Sequence, residues 1–172
     1  LIVADVTQAR IIAAADVAAS HLNAGREGGK FAGMVFEAKR SWASKDEDLK
    51  LQSGLLVDCV PWRYESSEKT SRDRAGYECS VQVMLRQKFG SEDLDECNRV
   101  PNATVDRLAT LVEEFDVFFK ENPIPGIEPY PDIKWTDSTI VAACSRPDLM
   151  KLLFVGIVRV TYSAPKELRV NE

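Results

Sequence analysis

The chain has 172 residues and a mass of 19.2 kDa, a length that suits one domain with one substantial core. Apolar residues make up 45% and charged residues 28%, which excludes a wholly disordered chain. A net charge of −5 and a pI near 5.1, with Lys and Arg dispersed among a larger number of Asp and Glu, argue against a high-affinity nucleic-acid binder.

Residues 4–22 read as the first helix. Val6, Ala9, Ala13 and Val17 form an apolar stripe beside a parallel row of Ile12, Ala15, Ala19 and Leu22. Asn23-Ala-Gly25 is expected to end it, because Asn and Gly tolerate the left-handed cap conformation. The first ten residues lack a basic region followed by an apolar core, so no secretory signal is expected. After a glycine-rich turn, residues 34–42 are a strand candidate with Phe36, Ala38 and Trp42 on one face. The charged residues 44–50 are expected to be exposed. Residues 55–62 form a second strand, closed by Pro61.

The stretch 63–74 is polar and holds almost nothing to bury. Loops of that length are uncommon in compact domains and are usually functional or mobile. A long strand follows. Tyr77, Cys79, Val81, Val83, Leu85 and Phe89 share one face, broken only by Gln87. Glu78, Ser80, Gln82, Arg86 and Lys88 share the other, with Met84 among them. A period of two predicts one buried and one wet face.

An acidic connection over 91–100 leads to a second helix, residues 103–121, with Val105, Leu108, Val112, Phe115 and Phe119 at helical spacing. Asn102 or Thr104 is the expected cap, and Asn122-Pro123 the stop. Residues 123–131 are a proline-dense connector without expected regular structure. Two last strands, 133–145 and 151–163, are joined by a tight turn at Arg146-Pro-Asp148. The tail from 165 is charged and expected to be loose. The reading is therefore a single α+β domain over 1–172, with its core at about 7–164. Its sheet is mainly antiparallel with about five strands, covered by two amphipathic helices in the order α-β-β-β-α-β-β.

The search for chemistry finds no catalytic constellation, no cofactor motif and no metal-ligand spacing. His21 is the only histidine, placed where an imidazole can meet helix-terminal carbonyls. Gly25–Lys30 lacks the Gly-Lys-Ser/Thr ending of a phosphate cradle and follows a helix rather than a strand. Glu113 and Glu114 read as a solvated helix face, and the 92–96 run lacks calcium-loop spacing. The cysteines at 59, 79, 97 and 144 form no C-x-x-C pair. Three of them fall in predicted strands, as free structural thiols. Trp42, Trp62 and Trp135 stand beside polar residues near strand ends, suited either to interfaces or to partial burial. No apolar run is long enough to span a bilayer.

In residues 8–22, 55–60, 77–89, 103–119 and 152–162, this element order resembles the tail-terminator family of long-tailed bacteriophages and related neck and tail-completion proteins. The resemblance spans about residues 7–164 as a pattern without an invariant signature. It implies a non-enzymatic virion protein, assembled in the host cytoplasm as a homo-oligomeric ring, typically a hexamer. Such a ring caps the tail tube, stops its polymerisation and joins it to the head connector, with genomic DNA as passing cargo. Arg63, Tyr64, Lys69, Arg72 and Arg74 in the polar stretch are then candidates for reaching a neighbouring subunit. Phe118, beside the main helical stripe, is another. A different neck or adaptor protein, or a small cytosolic enzyme or ligand-binding α+β domain, fits the same element order.

Overall fold

A computed structural model of the chain describes residues 9–31, 33–42, 54–67, 76–124, 127, 130 and 133–165. Residues 4–8 of the expected first helix, the charged stretch 44–50, the loop positions Lys69, Arg72 and Arg74, and the tail from 166 lie outside the described residues. The elements are α1 (Arg10–Glu27), β1 (Ala38–Arg40), β2 (Leu56–Ser67), β3 (Gly76–Lys88), a 3-10 turn (Ser91–Asp93), α2 (Asn102–Glu121), β4 (Lys134–Ala142), α3 (Arg146–Leu149) and β5 (Leu153–Pro165). The five strands form one sheet in the order β1-β2-β3-β5-β4. The fold is α+β as the sequence predicts. The sheet is mixed rather than purely antiparallel, because β1 runs parallel to β2 while every other pairing is antiparallel.

The α1 helix rests on alanine, the best helix former, and buries Ala13, Ala14, Ala15, Ala18, Ala19 and Leu22. It runs past the expected stop at Asn23-Ala-Gly25 to Glu27. Asn23 is engaged elsewhere: its amide donates to the Ala38 carbonyl at 2.9 Å, and its carbonyl oxygen accepts from the Ala38 N–H at 2.8 Å. That pair mimics a strand ladder and, with the Arg40–Asp16 ion pair at 2.7 Å, moors the three-residue β1 to the helix. Gly25 is small for packing: a Cβ there would lie 2.6 Å from the Phe118 ring.

Pro61 does not close β2, which continues to Ser67 and takes in residues 63–67 of the expected loop. The Cys59 carbonyl accepts from Ser41 on the β1 side. Alternation then turns the missing donor of Pro61 toward that same side, beyond the end of β1, where a proline is tolerated. The register slips between Pro61 and Arg63, leaving Trp62 as a bulge. Similar slips bulge Thr136 and Val141 in β4.

Both helices cover the same sheet face, where Val57, Cys59, Cys79, Val81, Val83, Leu85, Val158, Val160 and Tyr162 join one core with Phe115 and Phe119. Gly156 sets the depth of α2, since a Cβ there would come within 2.4 Å of Val112 Cγ2. Along β3 the second face is exposed only at its ends, at Glu78 and Lys88. Ser80, Gln82 and Arg86 are buried, against the expected alternation, and so is Asp58 on β2. Arg86 and Asp58 meet in an ion pair of 2.7 Å, each side chain 4% exposed, which makes the burial of both charges tolerable.

At the start of α2 the residue before the helix is Pro101, with no side-chain cap from Asn102 or Thr104. The proline connector contains an isolated bridge between Ile127 and Tyr130 and buries Ile127 completely. Arg10 lies 4.5 Å over the Tyr130 ring, tying the connector to the start of α1. The predicted turn at 146–148 is one turn of helix, α3, entered from Ser145 with Pro147 in its first turn.

Candidate interaction surface

The candidate residues separate into two regions. Arg63 and Tyr64 lie past the Trp62 bulge on β2, both exposed, and Arg63 is ion-paired with Glu65. Trp42 and Trp62 are each 58% exposed. The parallel β1–β2 register, which ends at Arg40 opposite Cys59, carries Trp42 toward the same stretch of β2. An aromatic edge of Trp42, Trp62 and Tyr64 therefore flanks the arm formed where β2, β3 and β5 run on together to Ser67, Gly76 and Pro165. Sequence reasoning singled out Arg63 and Tyr64 but left the tryptophans open between interface and partial burial. Their shared edge depends on a parallel pairing that no local pattern announces.

Phe118 is elsewhere, in the seam between α1 and α2. Its ring is 7% exposed and packs 4.7 Å from the His21 ring and 5.1 Å from Phe31. Most of its surface is therefore taken up within the chain. What remains opens into a shallow groove of about 270 Å³ on the outer face of α2, shared with Val117 and rimmed by Glu113, Glu114, Glu121 and Lys30.

His21 sits in the same seam. Its Nε2–H donates to the Asn122 carbonyl at the end of α2, at 2.7 Å. Desolvation lowers its pKa, and the bond to Asn122 opposes part of that shift. The ring thus serves as a neutral latch between helices. Burial pushes the Cys79 thiol up to about 11, and burial together with Asp58 and Asp16 raises Cys59 further.

A hydroxyl, a carboxylate and an amine do converge between α2 and β4. Ser138 donates to Asp116 Oδ1 at 2.6 Å, and Lys120 donates to Asp116 Oδ2 at 2.7 Å. Ser138 is only 2% exposed, so its hydroxyl meets no solvent-borne substrate, and the trio acts as a clamp. Among the described residues, no group of three His, Cys, Asp or Glu side chains is placed to hold a metal ion. No helix among them is long and apolar enough to cross a membrane. No family model and no curated protein matches the sequence.

Proposed function

We propose that this chain is a virion structural protein of a long-tailed bacteriophage, a tail terminator that closes into a ring, caps the tail tube, ends its polymerisation and presents a surface to the head connector. The observation that carries the reading is the three-strand arm. At 12 residues for β2 and 13 each for β3 and β5, these strands are about twice the usual length. A strand of 13 residues spans about 40 Å, more than two helices need to cover. The surplus leaves Arg63, Tyr64, Glu65 and Glu78 exposed at one end of the sheet, with tryptophan and tyrosine along its edge. Tyr and Trp are the residues interfaces favour.

A ring needs two different patches on each subunit, because a head-to-tail contact closes only by rotation. The arm edge and the outer face of α2 supply two such patches on different elements. The net charge of −5 suits a channel through which DNA must slide without sticking. The ring is assembled in the host cytoplasm and resides in the virion, where its partners are the tail tube protein and the connector.

The test is capping. Purified protein added to polymerising tail tubes should arrest their growth, and negative-stain images should show an annular density at one tube end. Tubes that grow to the same lengths with and without it, and bare tube ends, would sink the reading. Binding to connectors but never to tubes would instead assign it to the head side of the neck.

A further inference from the structure

The turn between β4 and β5 has an unusual tip. Met150 is 87% exposed and stands between Arg146 and Lys151, both exposed. Neither cation makes an ion pair among the described residues. The groove on α2 is its counterpart in shape and sign. Its apolar lining is Val117 and Phe118, and its rim carries Glu113, Glu114 and Glu121 against one cation among the described residues, Lys30. These carboxylates likewise make no ion pair among the described residues. A groove of about 270 Å³ is roomy enough for an unbranched methionine side chain, whose flexibility suits irregular apolar gaps.

The tip cannot fill the groove of its own chain. The α2 helix meets β5 at Val112–Gly156 and β4 at Asp116–Ser138, so residue 146 and its neighbours lie beyond the N-terminal half of α2. The groove lies on the other flank of α2, toward Lys30 in the turn after α1. Two complementary patches that cannot meet within one chain can meet between chains, head to tail.

We propose that a second copy of this chain fills the groove. Met150 of one subunit seats against Val117 and Phe118 of the next, while Arg146 and Lys151 face Glu113, Glu114 and Glu121. This rests on the ring reading and names one of its contacts. Apolar anchors in a pocket carry most of the energy of such an interface, and the charged rim sets orientation and partner choice.

Charge reversal tests it, read as self-association by sedimentation velocity on the intact chain. A groove variant (Glu113→Lys with Glu114→Lys) and a tip variant (Arg146→Glu with Lys151→Glu) should each weaken association by about tenfold or more. A chain carrying all four changes should regain it. Glu113, Arg146 and Lys151 are exposed and Glu114 is half-buried, and thermal melts check that each variant is folded. Met150→Asp, at an exposed position, gives a second route to the same loss. If the wild type associates and every variant associates equally, this contact is wrong while a ring built on other patches survives. A wild type that remains monomeric to its solubility limit overturns the contact, and tube-capping images then judge the ring by themselves.

Discussion

At the scale of single residues, three positions decide how closely the layers approach. Gly156 and Gly25 are both glycines without positive φ, kept small by neighbours 2.4 and 2.6 Å from where a Cβ would sit. Gly156→Ala should destabilise the fold by about 1–3 kcal/mol in urea unfolding, since the fully buried, β-branched Val112 side chain has little room to retreat. An unchanged midpoint would mean that α2 rides higher on β5 than described. The sequence showed Gly25 but suggested the wrong reason for it, a helix stop, because packing partners distant in sequence leave no local trace. His21 is the third. Its pKa is lowered in the fold, so both states carry a neutral ring above the ordinary value of 6.5. As pH falls below 6.5, the unfolded chain takes up a proton before the folded one, and stability declines until the folded ring also titrates. Chemical unfolding at pH 7.5 and 5.5 should show that loss in the wild type and a smaller one in His21→Gln. Equal losses would place the acid sensitivity elsewhere.

Thiol chemistry follows the same burial. Cys97 is exposed, Cys144 half-buried, and Cys59 and Cys79 buried. A thiol reagent at neutral pH should therefore modify Cys97 first and reach Cys59 and Cys79 only after denaturation. Rapid labelling of Cys59 in the native protein would contradict the core arrangement.

At the scale of elements, the central strand was legible almost to the residue, because an alternation sustained from Tyr77 to Phe89 has no other stable reading. Its second face was not. Arg86 and Gln82 look like solvent-facing residues in a linear pattern, and the diagonal neighbour Asp58, 28 positions earlier, helps explain how Arg86 can be buried. Asp58→Ala should cost about 3–5 kcal/mol, because it takes a carboxylate partner from a buried guanidinium. The double change Asp58→Leu with Arg86→Met should recover most of that loss. If the single change costs less than about 1 kcal/mol, the pair is wetter than its 4% exposure indicates. The short parallel β1 was legible as a strand but not in direction. Its docking depends on Asn23 and Asp16 from α1, a tertiary decision that propensity does not carry. The candidate surface was half legible for the same reason: Arg63 and Tyr64 stand out as polar-stretch residues, whereas the Met150 tip looked like an ordinary turn.

For the whole molecule, one helical layer on a five-strand sheet leaves a long arm, an aromatic edge and a charged groove to be explained, and the ring we propose would use all three. Wild-type protein should be followed by light scattering over the widest accessible range of concentration. A species of fixed multiple mass that accumulates as concentration rises, and that images as a closed annulus, is the predicted result. A single monomeric mass at every concentration, with no association when tail tubes are added, would contradict the account.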